Sequence, residues 1–174
     1  MQPSDLDNII ADNLALWLDH VIKNMRDDLQ RKTLMQFDGS QLGQSINWNM
    51  PGFNEGEIVM NDYWPFVEYG VKGVSGSNGD GKYSFKTKRV HPDMVRQIAT
   101  WTLMHGVPIP NQFMTKAQGN KELARTQFAT AIAYGVKVRG LKSRKFFTPN
   151  FNEQKLDELG LMIEEDIAKH LKLI

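Results

Sequence analysis

The chain has 174 residues, a formal net charge of +1, 41% hydrophobic residues and 24% charged residues. This composition is typical of a globular protein and predicts a single domain, 1–174, with its own hydrophobic core. The chain has no cysteine, which excludes disulfide scaffolds, thiolate nucleophiles, iron–sulfur clusters and cysteine-based zinc sites. No apolar run approaches the roughly 18 residues of a membrane span, and residues 1–5 do not resemble a secretory signal. We therefore expect the protein to be made and used in a reducing cytosol or inside a particle.

The charges are distributed unevenly along the chain. Residues 1–71 hold 4 basic and 11 acidic side chains, residues 72–145 hold 14 and 3, and residues 146–174 hold 3 and 6. The central basic block could face nucleic acid or meet the acidic ends of a neighbouring copy. A third alternative is that folding brings the three blocks together and the charges neutralise one another locally.

The first third of the chain predicts a long helix followed by a hairpin. Apolar residues recur at steps of three and four over 5–36, which indicates an amphipathic helix. Ile46, Trp48 and Met50 then alternate with polar residues, which predicts a strand. Residues 51–56 have the composition of a turn, and a second strand is predicted over residues 57–60. In the aromatic stretch 63–70, Pro65 fits the first turn of a short helix and Gly70 fits its end.

The rest of the sequence, from residue 70 onward, contains a glycine-rich segment and the patterns of further helices. Five glycines between 70 and 81 indicate a mobile loop at about 70–84, and the alternation over 83–88 indicates a strand or an extended arm. Helices are predicted over 92–105 and 120–135, with Asn120 capping the second, followed by a basic connector over 136–145 that begins like a strand. The last helix carries an apolar stripe formed by Leu156, Leu159, Ile163, Ile167, Leu171 and Ile174. The predicted class is α+β: a long N-terminal helix packed on a small antiparallel sheet, with further helices including a C-terminal amphipathic one.

No motif in the sequence supports catalysis. Residues 76–82 have the spacing of a phosphate-binding loop, but Tyr83 replaces the required serine or threonine, and neither a buried strand nor a helix flanks the segment. The four histidines include no pair at helical spacing, so no metal site is predicted. No serine sits in a nucleophile elbow, and the acidic clusters match solvated helix faces. We expect no cofactor, no metal and no enzyme activity.

Two stretches, 82–89 and 139–147, mix aromatic and basic residues. Such stretches can bind single-stranded nucleic acid through base stacking, or they can be edge strands whose lysines block aggregation. The candidate DNA- or partner-facing basic residues are Lys82, Lys86, Lys88, Arg89, Lys137, Arg139, Lys142, Arg144 and Lys145. A nucleic-acid-binding module therefore stays open as an alternative function, and it predicts steeply salt-dependent binding.

Three sequence elements resemble the neck and tail-completion proteins of long-tailed bacteriophages, the family that includes the minor tail protein Z of phage lambda. Residues 39–46 are similar to a Gly-x-Leu-x-x-Ser-Ile element, with one extra residue between Gly39 and Leu42. Residues 63–70 match a Tyr-x-x-Phe-Val-Glu-aromatic-Gly element, and 144–149 resemble a Phe-rich segment before a C-terminal helix. The middle, about 85–140, resembles an insertion seen in longer relatives.

The resemblance implies a structural protein of the virion, made in the host cytoplasm, at the neck or in a tail-completion ring. Relatives form rings through which DNA passes, so the implied partners are further copies in a hexamer or dodecamer, other neck and tail proteins, and DNA bound without sequence specificity, with no membrane. A tail-terminator or head-completion subunit is the neighbouring alternative. In such a ring Glu68 would cap backbone groups or pair with a basic neighbour. The candidate assembly residues are Tyr63, Trp64, Phe66, Glu68, Tyr69, Phe146 and Phe147.

Overall fold

The computed structural model describes residues 5–31, 40–76 and 78–172. The elements in chain order are α1 (Asp5–Arg31), α2 (Ser40–Ser45), β1 (Asn47–Gly52), β2 (Glu55–Val59), α3 (Trp64–Glu68), β3 (Val71–Lys72), α4 (Pro92–Met104), α5 (Asn111–Lys116), α6 (Lys121–Arg139), β4 (Gly140–Leu141) and α7 (Glu153–Lys172). The α+β class is confirmed. Within the described ranges, no helix combines the length and the apolar character needed to cross a membrane.

The chain forms two compact units. The discontinuous unit comprises Met1–Glu68 together with Arg144–Ile174, and the inserted unit comprises Tyr69–Ser143. The discontinuous unit thus combines both ends of the chain, whereas the inserted unit is one continuous stretch. The organisation of the whole chain as one domain stays a prediction.

The core of the discontinuous unit is built around α1. Its buried residues are Trp17, Leu18, Val21, Ile22, Met25, Leu29, Leu42, Ile46 and Phe146. The predicted apolar stripe supplies most of the α1 members, while Leu6 at the start of the helix is exposed. Residues 32–36 of the predicted helix lie outside the described residues.

The predicted hairpin is confirmed and lies against α1. β1 and β2 pair antiparallel, with Trp48 opposite Ile58, and both side chains pack on the core. A Cβ added to Gly56 would come within 2.7 Å of Leu18 Cδ1, so the absence of a side chain there lets the strand approach the helix closely. The Trp48 indole also donates a hydrogen bond to Asp19 Oδ1 at 2.7 Å.

α7 completes the discontinuous unit by packing on α1. The Trp17 indole donates to the carbonyl of Lys155 at 2.9 Å, and the buried Asn13 donates to Asp166 Oδ2 at 3.1 Å. Hydrogen bonds from Lys169 and Asn13 hold the pKa of Asp166 below its ordinary value. Of the predicted α7 stripe, the central residues are half-buried, Leu156 and Leu171 are exposed, and Ile174 lies outside the described residues.

The inserted unit contains α4, α5 and α6 with the short β3–β4 pair. α4 and α6 begin where the sequence predicts, because His91 Nδ1 accepts from the Asp93 amide and Asn120 Oδ1 accepts from the Leu123 amide. The predicted end of α4 is also confirmed, since Gly106 follows the helix with φ +60°. α5 was not predicted; it is a short helix directly after the extended segment that ends at Pro110.

The predicted end of α6 is wrong. The helix continues through Gly135 to Arg139 and stops at Gly140, where φ is +86°. Val136 and Val138 suggested a strand because β-branched residues favour strands, but only Gly140–Leu141 pairs, with β3. The extra helical turn is stabilised from outside the helix, since the carbonyls of Lys137 and Val138 accept hydrogen bonds from the amides of Val74 and Ser75.

Candidate functional site: aromatic motif and basic surface

The carboxylate of Glu68 is the centre of the aromatic motif 63–70. Its side chain is fully buried at the end of α3. One oxygen accepts hydrogen bonds from the amides of Phe146 at 2.7 Å and Phe147 at 2.8 Å. The other accepts from the amide and the hydroxyl of Thr148, at 3.1 and 2.6 Å. The capping of backbone groups, one of the two alternatives for Glu68, is therefore present within the chain.

Main-chain hydrogen bonds extend this contact on both sides. The Arg144 amide donates to the carbonyl of Val67 at 3.0 Å, and the Lys145 amide donates to the carbonyl of Glu68 at 3.3 Å. On the far side, Asn150 Nδ2 donates to the carbonyl of Phe146 and to Asp28 Oδ2. The motif and the Phe-rich segment, far apart in the sequence, are therefore joined inside the discontinuous unit; we call this arrangement the Glu68 clamp.

The aromatic candidates separate into packed and exposed residues. Phe146 is fully buried. The rings of Trp64 and Phe147 lie 4.9 Å apart, and Phe147 in turn contacts Phe151 at 5.4 Å. Tyr63 and Phe66, by contrast, are 41% and 44% exposed. Within the part of the motif that belongs to the discontinuous unit, these two rings have the largest exposed fractions among the aromatic side chains.

The inserted unit gathers basic residues around β3. Lys72 pairs with Gly140 of β4 on one side. On its other side its amide donates to the carbonyl of Tyr83, and its carbonyl accepts from the amide of Phe85. These three neighbouring segments carry or adjoin five exposed cationic residues, which we call the basic surface: Lys72, Lys82, Lys86, Arg139 and Lys142.

Aromatic rings hold two lysines of the inserted unit. The Lys82 ammonium lies 3.8 Å from the centroid of the Tyr69 ring and 5.9 Å from that of Tyr83, and the two tyrosine rings are 6.4 Å apart. The Lys137 ammonium lies 4.3 Å from the Phe85 ring. These cation–π contacts position the lysine side chains.

The other predicted basic residues are not part of the basic surface. Lys88 and Arg89 are exposed on the segment that leads to α4, and Lys137 is half-buried. Arg144 and Lys145 belong to the discontinuous unit, where burial lowers the pKa of Arg144. Lys72 was missed because its glycine-rich surroundings predicted only a loop, and no local signal reveals its pairing.

The glycine-rich segment packs tightly against the end of α6. A Cβ at Gly73 would lie 2.1 Å from the carbonyl oxygen of Val138, and one at Gly76 would lie 2.4 Å from that of Arg139. Asn78 Nδ2 also donates to the carbonyl of Gly140 at 3.2 Å. The glycines therefore permit a close approach of backbone to backbone. Mobility of this loop stays a prediction.

Two of the four histidines make contacts that support the fold in the part of the chain that the structure describes. His91 caps α4, and the ring of His105 stacks on Trp101 at 5.0 Å. After Lys82, the next described helix begins only at Pro92, so the 76–82 spacing lacks the helix that would face a phosphate. Among the described residues, no three acidic or histidine side chains lie close enough to hold a metal ion.

Comparison with family models, curated proteins and solved structures finds no match to this chain. Its function must therefore be inferred from its own residues and their geometry.

Proposed function

We propose that this chain is a structural subunit of a tailed-phage virion, forming part of the neck or of a tail-completion ring through which DNA passes. In this role it acts through contacts with copies of itself and makes or breaks no covalent bond. The proposal depends first on the resemblance of residues 63–70 to the corresponding motif of that family. One structural observation supports it further: the charge segregation coincides with the division into compact units.

The two units carry opposite net charges. Counted over the sequence, the discontinuous unit has 9 basic and 17 acidic side chains, a net charge of −8, whereas the inserted unit has 12 and 3, a net charge of +9. Neutralisation within each unit is therefore incomplete. Opposite charges allow the acidic unit of one copy to attract the basic unit of the next, and a head-to-tail contact of this kind closes into a ring when the rotation between copies permits.

The aromatic motif supplies contact area for the same assembly. Tyr63 and Phe66 are exposed on or beside α3, and the Glu68 clamp fixes this short helix to the unit. Rigid aromatic side chains provide large contact area at a low entropic cost. The clamp thus presents two preorganised rings to a neighbouring subunit.

The test combines solution mass with localisation in particles. We expect light scattering and negative-stain images to show a ring at low salt that dissociates as salt screens the attraction between units. We expect antibodies against the chain to label purified particles at the head–tail junction. A protein that stays monomeric at every salt concentration and is absent from the particles would refute the proposal.

A further inference from the structure

We infer that the basic surface binds the sugar–phosphate backbone of duplex DNA without reading its sequence. This inference deepens the proposed function and rests on it, because the passage of DNA through the assembly makes DNA the relevant polyanion. The observations behind it are the convergence of the cations, the arrangement of the aromatic rings, and the kind of residue that carries the charge.

The first observation is that a short ladder brings together cations from distant parts of the chain. Lys72 lies on β3, Lys82 and Lys86 flank the 83–85 segment on one side of it, and Arg139 and Lys142 flank β4 on the other. No described carboxylate forms an ion pair with any of these five side chains.

Negative charge is scarce in the rest of the inserted unit. Its acidic residues are Asp80, Asp93 and Glu122. Asp93 and Glu122 lie in the first turns of α4 and α6, and Asp80 accepts from the Lys82 amide through Oδ1. The positive potential around β3 is therefore largely uncompensated by the unit itself, and a polyanion can supply the missing charge.

The second observation favours phosphate contacts over base stacking. A stacking platform requires a ring face that a base can cover. Tyr69 and Phe85 are only half-exposed, and each already has a lysine ammonium over its ring. The rings therefore position cations, and contacts from such cations to phosphate carry no sequence information.

The third observation favours DNA over an acidic protein as the partner of these five residues; the other seven cations of the inserted unit remain to attract the acidic unit of a neighbouring copy. Four of the five residues of the basic surface are lysines, and lysine is depleted in protein–protein interfaces, whereas arginine and aromatic residues are enriched. Exposed lysines are well suited to contacts with phosphates along a backbone, where each neutralised phosphate releases a counterion.

The test compares two triple variants that remove the same number of charges from the inserted unit. The first, Lys72→Gln/Lys86→Gln/Lys142→Gln, removes exposed lysines of the basic surface. The control, Arg96→Gln/Lys116→Gln/Lys121→Gln, removes exposed cations on or next to α4, α5 and α6. Fluorescence anisotropy with a short duplex of arbitrary sequence gives the Kd over a range of salt concentrations, and thermal unfolding verifies that each variant folds.

We expect the first variant to weaken duplex binding about tenfold or more at low salt and to reduce the slope of log K against log[salt] by roughly 2 to 3, as the loss of three phosphate contacts requires. The control should retain most of the affinity and most of the slope. Equal weakening in both variants would overturn the inference, because binding would then follow net charge alone. Loss of assembly with unchanged duplex affinity would also overturn it, since the surface would then face protein.

Measuring the mass of the unmodified protein separates this inference from the proposed function. A protein that assembles into a ring but does not bind duplex DNA would refute the inference and leave the proposed function intact. A protein that binds duplex DNA through the basic surface but never assembles would refute the proposed ring and support the assignment of the basic surface as a DNA-binding site.

Discussion

Glu68 illustrates how a carboxylate can be fully buried within a fold. Burial of a charged group is costly unless hydrogen bonds replace the lost water, and here three consecutive amides and one hydroxyl provide them. Hydrogen bonds to a charged acceptor are stronger than those between neutral groups. The same contacts satisfy the amides of Phe146, Phe147 and Thr148, so carboxylate and backbone depend on each other.

We expect Glu68→Gln to destabilise the chain by about 2–4 kcal/mol, because the carboxamide has one acceptor oxygen and its amino group would face backbone donors. Chemical denaturation of the full chain measures the loss. Glu57→Gln is the matched control, since Glu57 is an exposed residue of β2, and its change should stay within about 0.5 kcal/mol. Equal effects of the two substitutions would contradict the role of the clamp.

At the scale of elements, the end of α6 and the glycine-rich segment stabilise each other. The amides of Val74 and Ser75 satisfy helix-end carbonyls, and Gly140 turns the chain from the helix into β4 with φ +86°. A Cβ at Gly140 would lie 2.1 Å from the carbonyl oxygen of Val71. Backbone packing, rather than side-chain burial, therefore defines the β3–β4 region.

Gly140→Ala should destabilise the inserted unit by at least about 2 kcal/mol, because both the left-handed φ and the close approach exclude a side chain. Hydrogen exchange should show loss of protection at the amides of Val74 and Ser75. Gly160→Ala provides the control: no atom would meet its Cβ within 4 Å, and alanine stabilises an exposed helical position by up to about 1 kcal/mol. If Gly140→Ala left both stability and protection unchanged, the packing argument would fail.

Local patterns predict the elements whose stability is local. The apolar period of α1 and the alternation in the hairpin lie within the elements that they define, and the predicted cap Asn120 lies directly before α6. The true end of α6 was missed because residues about 60 positions away cap it. α2 and α5 were missed because each has only 6 residues, too few to show a helical period.

The candidate sites follow the same rule. Glu68 stands out in the sequence as part of a recognisable motif, but its partners at 146–148 become visible only when the chain is folded. Lys72 has no sequence signal at all, since its place in the basic surface depends on the pairing of β3 with β4 and with the 83–85 segment. The uneven distribution of charge, in contrast, is found by counting basic and acidic residues along the sequence, which requires no structure.

For the whole molecule, the proposed assembly needs both long-range attraction and short-range contact. The opposite charges of the two units can bring copies together, but salt weakens such attraction, and exposed ion pairs contribute little stability. Apolar area must then hold the copies in register. In the motif of the discontinuous unit, that area is offered by Tyr63 and Phe66.

We therefore expect Tyr63→Ser/Phe66→Ser to shift the solution mass from the ring toward the monomer while the chain still unfolds cooperatively, with a loss of no more than about 2–4 kcal/mol in the free energy of unfolding, because each side chain is only about three-fifths buried. Phe53→Ser is the matched control, since Phe53 is 50% exposed at the hairpin turn outside the motif. Light scattering at low salt gives the mass of all three proteins. A double variant that assembles as well as the control would exclude the motif from the contact between subunits. Electrostatic attraction alone would then hold the ring together, and a ring held in this way should dissociate at moderate salt concentration.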